Sequence, residues 1–294
     1  MRFGNKLKIK NVVSAIAVVF TLVGTAASAQ SLNWDGQTGV YVTPLAYTSG
    51  APAGKFGKPS VGYHFLNGGD VLGKWSSISV TEGIGGRFEF GYTRNFMSAG
   101  SDKALSPLWD GGFNVVHAKG VLVPENMNKH NWVPAISAGF VARMGDKNVS
   151  GIAGGNKTYT NGDFYIVGTK IITQTKVPLI VNFGYKGTNA SVLGLTGNAP
   201  EFTGRMFGGG GFVLKGPAKS TIILVTEFSQ QPREIKNVPG VVIPTTIAYA
   251  ARIVPMEKSK LNIDFGIAQV AGKIAPGVDV QLRSQFVAAI SYGF

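Results

Sequence analysis

Gln285-Phe286-Val287-Ala288-Ala289-Ile290-Ser291-Tyr292-Gly293-Phe294 ends the chain, and its reading decides the fold. Taken in steps of two, one face carries Phe286, Ala288, Ile290, Tyr292 and Phe294, and the other carries Gln285, Val287, Ala289, Ser291 and Gly293. Side chains alternate across a strand, so the stretch predicts a strand apolar on one side and small or polar on the other. A soluble sandwich would turn its apolar face inward and would usually follow it with a short polar tail. An apolar face ending on aromatic residues instead suits a strand that meets lipid.

Working back from this end, the same two-faced pattern recurs. Phe88, Phe90, Tyr92 and Phe96 oppose Arg87, Glu89, Gly91, Thr93 and Asn95. Val177, Leu179, Val181, Phe183 and Tyr185 oppose Asn182, Gly184 and Lys186, and Leu261, Ile263, Phe265 and Ile267 oppose Asn262, Asp264 and Gly266. Strands are expected at Ser60–Asn67, Gly73–Glu82, Arg87–Phe96, Gly112–Val123, Trp132–Arg143, Asp163–Thr173, Val177–Lys186, Thr203–Leu214, Ser220–Gln230, Thr245–Val254, Lys260–Val270 and the closing stretch. Trp34–Ala46 is a thirteenth candidate, broken by Pro44, which a central strand tolerates poorly. No stretch of useful length after the first 29 residues has the helical period.

The segments between strands alternate long and short. Ala271–Arg283, Gln231–Pro244, Gly187–Phe202, Met144–Gly162 and Met97–Asp110 are long. Pro255–Ser259, Lys215–Lys219, Gln174–Lys176 and Gly83–Gly86 are short, and Pro124–Asn131 is intermediate. A soluble sandwich has no reason to keep that beat. A transmembrane antiparallel up-and-down β-barrel does, with long extracellular loops and short periplasmic turns. Both ends of such a barrel lie on the periplasmic side, so the strand number is even: twelve is expected, with fourteen as the alternative count.

Residues 1–29 read as a secretory signal peptide: Arg2, Lys6, Lys8 and Lys10, then a largely apolar run from Val12 to Val23, then Ala27-Ser28-Ala29 before Gln30. The apolar run is shorter than the ~20 residues that span a bilayer as a helix. Residues 30–59 read as an N-terminal extension, a plug or an irregular first strand, and 60–294 as the barrel. The chain has no cysteine, which removes disulfides and thiol chemistry. The formal net charge is +13, and the signal carries four cations and no acid, leaving 13 − 4 = +9. The basic residues are scattered singly, so no nucleic-acid partner is expected.

Signal, strand beat and closing strand together resemble Gram-negative bacterial outer-membrane β-barrel proteins across residues 30–294. The resemblance implies a place in the cell outer membrane, with outer-membrane lipid and the barrel-assembly machinery as partners. It also implies that Ile290, Tyr292 and Phe294 form the membrane-insertion signal. General porins are typically larger and more acidic than this short basic chain, which argues against unselective diffusion.

With aromatic faces toward lipid, Arg87, Glu89, Arg143, Lys170, Lys186, Arg205, Glu227, Arg252 and Asp264 are assigned to the lumen. The reason is cost: Arg or Lys facing lipid at mid-depth costs about 2–4 kcal/mol. Two readings stay open. The excess of cations lines a narrow pore or small-solute transporter that leans toward anions, acting as a monomer on a small anionic solute. Alternatively, Arg–Glu and Arg–Asp pairs cross-link and fill the interior, making a non-conducting structural or interaction barrel associated with an envelope polysaccharide or partner protein. A surface hydrolase is the weakest reading, because His64, His117 and His130 have no nucleophile or acid nearby in sequence to complete a set. No enzyme activity, cofactor or metal is expected. Trp34, Trp75, Trp109 and Trp132 read as interfacial anchors, and the Gly208–Gly211 run as close packing or a bend within a strand.

Overall fold

The computed structural model describes residues 31–103, 111–145, 159–194, 197–232, 243–256, 259–269, 272–275, 278–279 and 282–294. The signal and its cleavage site, Trp109 and most of the Met144–Gly162 loop lie outside the described residues.

Twelve antiparallel strands close into a barrel. They are β1 Ser60–Asn67, β2 Lys74–Ile84, β3 Phe88–Ser98, β4 Gly111–Val123, β5 Ala135–Gly145, β6 Tyr159–Ile172, β7 Leu179–Ser191, β8 Gly197–Lys215, β9 Thr221–Ser229, β10 Thr246–Val254, β11 Leu261–Gln269 and β14 Gln285–Gly293. Two short strands, β12 Lys273–Ala275 and β13 Val278–Asp279, pair in the loop before β14. Each barrel strand pairs with its neighbours in sequence, and β14 closes the ring on β1 with Tyr63 opposite Ile290 and Ser60 opposite Gly293. Closure leaves no edge, which is what a sheet in lipid requires. Trp34–Ala46, the thirteenth candidate, forms only the isolated bridges Leu32↔Thr38 and Gly39↔Pro44.

Alternation sets the two surfaces. In the closing strand Phe286, Ile290 and Tyr292 are exposed, while Val287, Ala289 and Ser291 are buried. Phe88, Phe90, Tyr92 and Phe96 on β3, Phe183 and Tyr185 on β7, and Phe265 and Ile267 on β11 point out in the same way. The wall is therefore apolar outside, while its inside mixes polar and charged side chains with an apolar cluster around Trp75 and Phe113.

The turn between β2 and β3 contains Gly85 and Gly86 at φ +61° and +67°, a backbone conformation that side chains with a Cβ rarely adopt. This end also carries both ends of the barrel, and the longest connections, β3–β4, β5–β6, β9–β10 and β11–β14, lie at the other, so it is the periplasmic end of the class.

The structure corrects two expectations. Gly187–Phe202 is not a long loop: β7 and β8 continue as a ladder to Ser191↔Gly197. Its tip turns inward, with Ala190, Val192 and Ala199 buried. Gly194, at φ +86°, lies so close to Arg143 that a Cβ there would collide with its side chain. Trp34 and Trp75 are not interfacial anchors either. They are 3% and 0% exposed and sit in the interior cluster with Tyr41, Leu72 and Phe113. Trp132 is exposed.

Candidate functional site: the lumen and the segment inside it

Eight strands make a barrel that side chains fill, and sixteen or more leave an aqueous channel. Twelve fall between, and here the difference is filled by Ser31–Ser49, which enters at the periplasmic end and loops back within the lumen. Ser31 to Tyr41 are all buried. A backbone inside a barrel must find partners for its N–H and C=O groups. Part of the need is met locally, where the Asn33 side chain accepts from the N–H groups of Asp35 and Gln37 at 3.1 and 2.9 Å. The wall supplies much of the rest.

Glu227 on β9 accepts four hydrogen bonds: from the N–H groups of Tyr41, Val42 and Thr43 at 3.0, 2.8 and 2.8 Å, and from the Thr43 hydroxyl at 2.8 Å. Glu89 on β3 accepts from Thr38 N–H, the Thr38 hydroxyl and Ser49 N–H, and pairs with Lys119 on β4 at 2.9 Å. Lys119 in turn donates to the carbonyls of Thr38 and Leu45, both at 2.9 Å. Arg252 on β10 forks onto Asp264 of β11 at 2.8 and 2.9 Å and donates to the carbonyls of Gly39 and Val40. Arg143 on β5 holds Asp35 of the segment through two bonds, 3.0 and 2.6 Å, and Asp163 of β6 at 2.9 Å. The Lys186 ammonium stands 4.0 Å from the same Asp163.

Neutral side chains complete the ring. Thr169 accepts from Ala46 N–H and donates to Asn182, and Asn182 donates to Pro44 O. The His64 ring donates to Leu32 O at 2.9 Å, and Thr93 donates to Asp35 O at 2.9 Å. Near the periplasmic rim, burial and then the Glu125 charge push the Tyr47 hydroxyl above its ordinary pKa. It therefore stays protonated and donates to Glu125 at 2.9 Å.

Seven of the nine residues assigned to the lumen from sequence face it: Glu89, Arg143, Lys186, Arg205, Glu227, Arg252 and Asp264. Arg205 donates to the carbonyls of Gln231 and Gly204 rather than to the segment. Arg87 and Lys170 do not line the lumen. Arg87 is exposed in the β2–β3 turn, where the strand pattern no longer applies. Lys170 lies between the buried, inward Thr169 and Ile171 and pairs with Glu125 of the β4–β5 turn at 2.9 Å. Sequence reasoning did not assign Lys119, Asp163 or Asn182, although each shares strand parity with an inward residue. It had no means to assign Asp35, which lies in a segment without periodicity.

Some polar atoms gain nothing from this arrangement. His64 Nδ1, Ser77 Oγ, both amide atoms of Asn95 and of Asn262, His117 Nδ1 and Trp34 Nε1 are buried without a hydrogen-bond partner. Each such group costs about 1–3 kcal/mol relative to its hydrated state. The free space beside Lys186 and Arg143 is about 20 Å³, and that beside Val40 and Arg252 about 30 Å³, room for one or two waters.

A closed antiparallel wall, apolar outside with polar groups inside, its longest connections at one end and both chain ends of the barrel at the other, defines an outer-membrane-type β-barrel. No family model and no curated protein sequence matches the chain. Among solved structures it is similar to the KdgM porin, at 12% identity and TM-score 0.46, covering 80% of this chain and 99% of that one. The KdgM porin in complex with disordered oligogalacturonate gives 12% identity, TM-score 0.45 and the same coverage. The β-domain of the Bordetella autotransporter BrkA gives 13% identity and TM-score 0.37, covering 82% of this chain and 100% of that one.

Proposed function

We propose that the protein is a narrow outer-membrane pore closed at rest by its own N-terminal segment, Ser31–Ser49, and that small solutes pass when the segment leaves. The observation that carries this reading is the chemistry of the contact. The segment is held by carboxylates, ammonium and guanidinium groups, hydroxyls and amides, all of which water satisfies once the segment is gone. The orphaned polar atoms of the wall gain water at the same step.

The charge of the lumen follows from the same contacts. Among the described residues, the inward ionised groups of the wall are Lys119, Arg143, Lys186, Arg205 and Arg252 against Glu89, Asp163, Glu227 and Asp264. Asp35 of the segment balances them. Its departure leaves one positive charge in excess, a weak lean toward anions. One observation favours the non-conducting alternative: Trp34, Tyr41 and Ala46 of the segment pack in an apolar cluster with wall residues such as Trp75 and Phe113. The Lys119–Glu89 and Arg252–Asp264 pairs join residues opposite each other on adjacent strands, so they lie along the wall and leave the lumen uncrossed.

A disulfide tests the gate. A Cβ built on Gly62 of β1 stands 3.4 Å from Leu32 Cβ, close to the 3.5–4.5 Å of a disulfide. The chain has no other cysteine to interfere. The L32C/G62C protein should be silent in a planar bilayer when oxidised and should open after reduction. Equal conductance in both states would rule the segment out as the gate.

A further inference from the structure

We infer that the periplasmic end of the barrel is a docking ring for anionic phospholipid headgroups of the surrounding leaflet. Every short turn there presents an exposed cation: Arg87 between β2 and β3, Lys129 between β4 and β5, Lys176 between β6 and β7, Lys219 between β8 and β9, and Lys260 between β10 and β11. Lys58, just ahead of β1, closes the circle beside β14. The carboxylates at this end, among the described residues, are Glu82, Glu125 and the chain terminus at Phe294, and Glu125 is engaged by Lys170. The opposite end mixes signs, with Asp70, Asp102 and Glu201 beside Lys74, Lys103 and Arg283.

Position selects the partner. The cations share their turns with exposed apolar side chains, Phe88 beside Arg87, Met127 and Trp132 beside Lys129, and Met256 before Lys260. That interleaving puts the charges where hydrocarbon gives way to headgroups, not on stalks reaching toward a polymer beyond the membrane. A closed circle of single charges matches an annulus of lipid, whereas a protein partner would need a patch on one side. A recess lies between the 50–58 segment and the last strand. It is a cleft of about 570 Å³ whose lining includes two cations, Lys58 and Lys260, and two aromatic rings, Phe56 and Phe294. This suits a phosphodiester with the start of its acyl chains. The inference does not depend on whether the lumen opens.

The test reads lipid contact at Trp132, the exposed tryptophan beside Lys129. The full chain carrying W109F, reconstituted in vesicles, is quenched with brominated phosphatidylglycerol or brominated phosphatidylcholine. Trp34 and Trp75 are buried inside the barrel and contribute a constant background. A preference for phosphatidylglycerol of about fivefold at low salt is expected, falling with added salt. It should vanish in K58Q/K129Q/K260Q and survive in the matching arginine variant, which keeps charge and fold. Equal quenching by the two lipids in the parent chain, or a preference that persists in the glutamine variant, would overturn the inference. So would binding to purified peptidoglycan that the glutamine variant loses while no lipid preference exists, because the ring would then serve the wall polymer.

Discussion

Glu227 shows how a single side chain sets the state of this barrel. Strand parity places it inward, and that much is readable from Thr226 and Phe228 on either side. Its partners are not readable, because they are the backbone N–H groups of Tyr41, Val42 and Thr43, in a stretch with no period. Hydrogen bonds to a charged acceptor contribute about 1.5–3 kcal/mol each. Glu227→Gln keeps the shape but removes the charge and turns one acceptor into a donor facing N–H groups. The open fraction in bilayer recordings should rise about ten- to a hundredfold, the equivalent of roughly 1.4–2.8 kcal/mol. Arg143 makes a different prediction. It neutralises Asp35 and Asp163 together, so Arg143→Leu buries two carboxylates with only Lys186 nearby. Breaking a buried pair in this way costs about 3–5 kcal/mol, measurable by denaturant unfolding from vesicles. Arg205, which does not touch the segment, should affect neither quantity. Its neutral variant should instead move the reversal potential of the open pore toward cation preference.

At the scale of elements, the barrel strands were legible and the segment was not. A strand between lipid and a wet interior must alternate, and alternation survives in one sequence. Twelve of the thirteen candidates are strands for that reason. The ladder of β7 and β8 past Thr188 was misread as loop because its side chains leave the lipid boundary there and stop alternating between lipid and lumen. Trp34 and Trp75 were misread because aromatic residues near strand ends serve equally as membrane anchors or as interior packing. Trp75 is on the inward face of β2, and Trp34 packs near His64 at 6.1 Å. The inward tip at Gly194 rests against Arg143, the residue that also holds Asp35. Replacing Gly194 with a β-branched residue should push Arg143 aside and loosen the segment, because φ there is +86° and the added Cβ has no room. A conductance unchanged from the parent chain would separate that tip from the gate.

For the molecule as a whole, one chain supplies both a closed wall and a segment packed inside it. The wall is closed by strand pairing alone, from β1 round to β14. The segment adds side-chain bonds but no strand to that ring. The barrel should therefore fold without it, and the wall's polar interior should then fill with water. The signs of the lumen charges were legible in the sequence, but their pairing was not, since Glu89 meets Lys119 and Arg252 meets Asp264 only through strand register. The most direct measurement is planar-bilayer conductance of the refolded chain beside a variant lacking residues 31–48, each first shown to be folded and inserted. Brief, rare openings are expected for the full chain and steady discrete conductance, weakly anion-preferring, for the deletion. Steady conductance from the full chain, or silence from the folded deletion variant, would contradict a gating role for the segment.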